Sequence, residues 1–179
     1  MANSSLVTGI KDKVIAEIIN DEALFYAINP HDIESFEDSD QMIGTHIFRY
    51  NQNPLTLNIT NTYLTIQVHV ARTYGSGNNW SKLQLEIYII THEKSMNVDN
   101  IPKISANRND YISQLLDEKF NGRTYIGLDT DPNKISLLGA LDLISNTEGA
   151  FQANYLYRRM IFETKDLNDS LCDGGKYAY

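Results

Sequence analysis

Two stretches of strict alternation constrain this chain more than anything else in it. Leu64, Ile66, Val68 and Val70 alternate with Thr65, Gln67, His69 and Ala71. After a loop centred on GSGNN, Leu83, Leu85, Ile87 and Ile89 repeat the pattern. Successive strand side chains point to opposite faces, so each stretch reads as a half-buried strand and the two together as an antiparallel hairpin. The register follows from burial. Both apolar sets must share one face, because a slip of one residue would send one set into water. That places Leu64 near Ile89, Ile66 near Ile87, Val68 near Leu85 and Val70 near Leu83. Gln67, His69, Gln84, Glu86 and Tyr88 then occupy the opposite face.

Helical periodicity flanks this hairpin. Leu6, Ile10, Val14 and Ile18 recur at four-residue spacing behind Ser4 and Ser5, which predicts an amphipathic helix over residues 6–19. Asp21 caps a short helical turn, DEALFYAI, which Pro30 ends. HDIESFEDSDQMIG reads as an acidic loop, HIFRY as a short strand, NQNP as a turn and LTLNIT as a candidate strand. Beyond a polar connection over residues 93–106, Asn107 caps the helix RNDYISQLLDEKFNG. Tyr111, Leu115 and Phe120 are among its apolar positions and Gly122 is its stop. GLDTDPN reads as a turn. ISLLGALDLI and NYLYRRMIFETK flank SNTEGA as a second hairpin, and DLNDSLCDGGKYAY as a flexible tail. Strands gathered in hairpins predict an α+β fold: an antiparallel sheet with a long central hairpin and two main helices packed on one face. The expected organisation is a single domain over residues 1–168 and a tail over 169–179.

The chain has 179 residues, 42% hydrophobic and 21% charged, which suits one globular domain with a sizeable core. No apolar run approaches the roughly 18 residues of a membrane span, and the N-terminus lacks the features of a signal peptide. The single cysteine, Cys172, has no partner for an internal disulfide, so a reducing place of synthesis is expected. The net charge of −8 is localised. Between Val14 and Phe48 there is no Lys or Arg, while Glu17, Asp21, Glu22, Asp32, Glu34, Glu37, Asp38 and Asp40 all fall there. Such a segment repels phosphate, and no basic stripe compensates, which argues against tight nucleic-acid binding. A solvated acidic loop is the plain reading.

Patterns of catalytic chemistry are missing. His31, His46, His69 and His92 fall in no metal-ligand spacing. Asp129, Asp131 and Asn133 start a calcium-loop pattern that fails at Lys134, where glycine is needed, and at Ala140, where a bidentate Glu is needed. GSGNN joins two strands instead of opening a helix, so it is no phosphate cradle. No catalytic residue, metal or cofactor is therefore expected. The 11 tyrosines are more informative. Tyr155, Tyr157, Arg159 and Ile161 share one face of the last strand, and Leu156, Arg158, Met160 and Phe162 the other. Either that strand crosses the core or one side of it meets another subunit. Trp80 and Tyr88, on the polar side of the long hairpin, raise the same choice, since these residue types are enriched at interfaces. Scattered exposed aromatics are the alternative.

The hairpin TYLTIQVHVARTY…WSKLQLEIYIITH, the helix RNDYISQLLDEKFNG and the ending YLYRRMIFETKDLN give residues 4–168 an order and texture that resembles the tail-terminator and neck subunits of tailed phages. The resemblance implies a homohexameric ring in the virion, capping the tail tube and joining it to head-completion proteins, with DNA passing through unbound. It implies that Trp80, Tyr88, Tyr155, Tyr157 and Arg159 contribute to subunit contacts. Glu34, Glu37, Asp38 and Asp40 would face the lumen or a basic partner. A head-closure or stopper protein at the same junction, a small-ligand or peptide-binding module, and an enzyme are the competing expectations.

Overall fold

The computed structural model describes residues 4–28, 32–53, 62–72, 80–97, 107–152 and 154–168. The candidate strand LTLNIT, the GSGNN loop, Pro30, Cys172 and the C-terminal tail lie outside them. Three α-helices appear: α1 (Ser4–Ile19), α2 (Glu22–Ile28) and α3 (Arg108–Phe120). The strands are β1 (Ile47–Phe48), β2 (Thr62–Arg72), β3 (Trp80–His92), β4 (Arg123–Ile126), β5 (Ile135–Gln152) and β6 (Tyr155–Asn168). They form one sheet in the order β1-β2-β3-β6-β5-β4.

The central hairpin has the register that burial dictates: Leu64 opposite Ile89, Ile66 opposite Ile87, Val68 opposite Leu85 and Val70 opposite Leu83. Its apolar face meets Ile10, Val14, Ile15 and Ile18 of α1, Leu24 and Ile28 of α2, and Ile112, Leu116 and Phe120 of α3. Met160 and Phe162 of β6 complete that core, with Phe120 and Phe162 edge to face at 5.9 Å. The buried stripe of α3 is centred one residue beyond Tyr111 and Leu115, which are only partly buried.

Four expectations need correction. The sheet is mixed, because β1 runs parallel to β2, with Ile47 beside Leu64 and Phe48 beside Thr65. A third helix, α2, packs alongside the two main ones, its Leu24, Phe25, Ala27 and Ile28 buried in the same core. The acidic segment is not all loop: Ser35 caps a 3-10 helix over Phe36–Met42, its side chain accepting from the Glu37 N–H, and Met42 is buried. Finally, SNTEGA is not a turn. β5 runs straight through it, paired with β6 from Asp142 opposite Glu163 to Gln152 opposite Tyr155. Just before β6, Asn154 takes φ 70, a left-handed conformation that asparagine tolerates better than most residues.

Charged side chains fasten the layers where periodicity predicts only solvent. Glu17 on α1 is 2% exposed, accepts the Gly127 N–H at 2.5 Å and pairs with Arg123 of β4. Arg123 also reaches Asp129, whose carboxylate accepts the Tyr125 hydroxyl at 2.5 Å. Arg108, the first residue of α3, is buried and donates to the carbonyls of Ser95 at 2.6 Å and Ala27 at 2.5 Å. A cation is unfavourable at a helix N-terminus, and the carbonyl at the end of α2 outweighs that here.

A candidate assembly surface on the second face of the sheet

The helices cover one face of the sheet. The other face collects the odd-numbered residues of β2 and β6 and the even-numbered residues of β3, because cross-strand partners share a face. At one end it carries a second, smaller apolar cluster of Phe48, Tyr63, Ile90 and Tyr155. Rings meet edge to face throughout: Phe48 with Tyr63 at 5.9 Å, Tyr63 with Tyr155 at 6.4 Å and His92 with Tyr155 at 5.0 Å. The Tyr63 hydroxyl and Thr65 Oγ1 are buried there without a hydrogen-bond partner among the described residues. Burial raises the ionisation of the Tyr63 phenol far above its ordinary range.

Next to this cluster lies a charged one centred on Glu86. Its carboxylate accepts from Arg159 Nε and from the Tyr88 hydroxyl, and lies 3.4 Å from His69 Nε2. Burial pushes the Glu86 carboxyl upward, but Arg159, Tyr88 and His69 together outweigh it and hold the group below its ordinary value. The Arg159 guanidinium stands 5.8 Å from the Tyr88 ring centre. Tyr88 packs at 5.8 Å on Tyr157, which packs at 6.4 Å on Phe151. Further along, Glu163 accepts from Gln84 at 2.8 Å and pairs with Lys82 at 2.7 Å. Tyr157 also lies across Gly149 of β5, where a Cβ would come within 2.8 Å of its hydroxyl oxygen and 2.9 Å of its ring. The glycine is what lets the aromatic ring lie flat on the sheet.

Of the residues singled out in the sequence, Tyr88, Tyr157 and Arg159 come together in this charged-aromatic cluster. Tyr155 sits beside it, 7% exposed, its ring engaged with Tyr63 and His92. Trp80 opens β3, paired with Asn168 of β6. Glu34, Glu37, Asp38 and Asp40 are all exposed, on and just before the 3-10 helix. His46 is buried, 3.3 Å from Asp32, and His92 caps the 3-10 turn Glu93–Ser95 by accepting the Lys94 N–H at 3.2 Å. Among the described residues, no group of three or more His, Cys, Asp or Glu could hold a metal ion. None of their helices is long and apolar enough to cross a membrane.

Three groups escape sequence reasoning: Arg158, Arg108 and Glu17. Arg158 joins α3 to the second hairpin through Asp110, Glu148 at 3.1 Å and Asn146 at 3.0 Å. Its alternation with Met160 and Phe162 on the core face was the available signal. A cavity of about 360 Å3 opens beside it, lined by Met96, Asn109, Gly149, Leu156, Tyr157 and Arg158 among others.

These features define an α+β protein built on a mixed sheet, with six strands among the described residues, helices on one face and aromatic and ion-paired side chains on the other. The profile of the YomW family matches residues 12–164, and the chain belongs to that family. No curated protein matches the sequence. Among solved structures, the chain is similar to one in the virion of a native gene transfer agent (GTA) particle. The TM-score is 0.56 at 14% identity, over 89% of this chain and 96% of that one. At that identity the likeness is one of fold.

Proposed function

We propose that this protein is a structural component of a phage-like virion. In the finer reading it forms a homohexameric ring at the neck that caps the tail tube and joins it to the head-completion protein, without catalytic activity. The observation that carries the proposal is the end-to-end correspondence with a chain of a gene transfer agent virion: nearly all of each chain is used, as expected when one fold serves one kind of assembly. The absence of a motif for nucleophilic, metal or phosphate chemistry in the sequence is consistent with a passive role. In this reading the charged-aromatic face with Tyr88, Tyr157 and Arg159, flanked by Tyr155, contributes to contacts between subunits, as does Trp80 at the start of β3. The exposed acids Glu34, Glu37, Asp38 and Asp40 face either the channel, where they let DNA slide, or a basic partner.

Light scattering and negative-stain imaging of the purified protein test this directly. Closed rings of six are the expected result, alone or on an added tail tube, and a chain that stays solitary beside tubes and heads would end the proposal. A head-closure or stopper position at the same junction is separated by which of the two structures the ring binds. A peptide- or small-ligand-binding module is the second reading, favoured by the cavity beside Arg158. Ligand-dependent melting of a compact monomer would support it, since binding to the native state alone raises stability.

A further inference from the structure

We infer that the exposed surface made by α2 and the 3-10 helix Phe36–Met42 docks a segment of a different protein in which basic and apolar residues alternate. The inference rests on the assembly reading and deepens it, by choosing between the two roles left open for the acids there. Two apolar side chains mark the surface. Tyr26, on α2, is 59% exposed, and Ile43, at the end of the 3-10 helix, is 39% exposed. Both are held from beneath. Tyr26 meets Phe25 edge to face at 5.4 Å, and the buried Phe25 meets Phe36, the first residue of the 3-10 helix, at 5.6 Å. Ile43 is fixed by a bridge to Ile47. The 7 residues of the helix span roughly 14 Å at 3-10 rise, so an aromatic and an aliphatic site stand at its two ends.

Apolar side chains scattered singly over a surface need no explanation. Here, of the five large ones exposed among the described residues, two bracket one short helix. A channel wall along which DNA slides gains nothing from exposed tyrosine and isoleucine, whereas a docking surface buries them. Between the two lie acids that the fold leaves unpaired. Glu37, Asp38 and Asp40, with Glu34 just before the helix, are exposed and take part in no ion pair among the described residues.

Charge complementarity selects the occupant. A segment with lysine or arginine set between apolar residues matches acids set between Tyr26 and Ile43. A second copy of this chain is a poor match, because its bases are engaged within the fold. Lys13, Arg49, Lys119, Arg123, Arg158 and Arg159 each pair with a carboxylate of their own chain. Duplex DNA is repelled by the same acids. The occupant is therefore a basic polypeptide, which within the assembly reading is a neighbouring virion protein.

Tyr26→Ser and Ile43→Ser test the apolar sites without touching the acids. Both side chains are exposed, so melting temperatures and the rings seen by light scattering should match the parent. Each change should weaken, by about tenfold, the binding of a short labelled peptide that alternates lysine with leucine. An all-lysine peptide of equal charge should bind the parent more weakly than the mixed one. The two changes together should prevent joining of heads to tails in an assembly assay. If the two peptides bind alike, or the serine variants bind and join as the parent does, the docking site is overturned while the ring reading survives. Joining that fails with lysine at Glu34, Glu37 and Asp38 but persists with both serines assigns the acids to the channel and also overturns it. A parent that forms no ring ends the assembly reading, and the peptide measurements then decide the docking surface by themselves.

Discussion

Glu86 and Glu17 are both nearly buried carboxylates, yet their ionisation is displaced in opposite directions. Burial raises each. At Glu86 the hydrogen bonds from Arg159 and Tyr88 and the charges of Arg159 and His69 reverse the sign, so the folded value lies below the ordinary 4.5. At Glu17 the Gly127 N–H and Arg123 offset burial only in part, and the folded value lies above 4.5. The stability contributed at Glu86 is therefore present above the unfolded value and lost as pH falls through the folded one. The contribution at Glu17 is full below the unfolded value and lost as pH rises through the folded one. Urea midpoints at pH 7 and pH 4 separate the two. Acidification should cost Glu86→Gln less than the parent and Glu17→Gln more, and parallel behaviour of all three would contradict both assignments. Gly149→Ala adds a Cβ into the Tyr157 ring. It should cost about 1 kcal/mol, with much of that loss absent in a Tyr157→Ala background, as a double-mutant cycle would read.

At the scale of elements, the central hairpin was legible because its apolar set has one period and one solution. Ile87, fully buried between Ile66 and Met160, should lose about 2–5 kcal/mol on truncation to alanine in chemical denaturation. The second hairpin was legible only in part. Ser145, Asn146 and Gly149 have turn-like or weak strand propensity, and pairing with β6 overrides it from Asp142 to Gln152, accommodated by register shifts at Leu143/Ser145 and Ala150/Gln152. β4 escaped notice because four residues with one buried position, Ile126, make no readable period. Arg108 holds the end of α2 and the turn after β3 to α3. Arg108→Ala strands those carbonyls and should cost about 2 kcal/mol, while Arg108→Lys recovers little because a single ammonium cannot span them.

The whole molecule is polarised. One face of the sheet is closed by helices, the other by aromatic rings and ion pairs, and the acidic 3-10 helix stands exposed. Replacing Glu34, Glu37 and Asp38 together by lysine removes no buried contact, since all three are exposed. The melting temperature should therefore hold, whereas joining of heads to tails should fail in an assembly assay. Unaltered assembly would remove those acids from the function. The candidate surface was half legible: Tyr88, Tyr157 and Arg159 were chosen by residue type and strand parity, and they do share a face. The carboxylate at their centre, Glu86, was placed on the right side of the hairpin but not recognised as the hub, since its partner Arg159 comes from another strand 73 residues away.

What the sequence by itself determined was whatever a local period can encode: α1, α3, the long hairpin with its register, and the segregation of charge. Burial of an alternating or helical stripe has one low-energy answer, and no distant residue is needed to find it. The tertiary structure decided the parallel docking of β1, the course of β5 through SNTEGA, the burial of Glu17 and Arg108 among their partners, and the ion pairing of Arg158. Each depends on a hydrogen-bonding partner far away in the chain. A buried charge or an unpromising strand becomes stable only when that partner arrives, and no local pattern announces it.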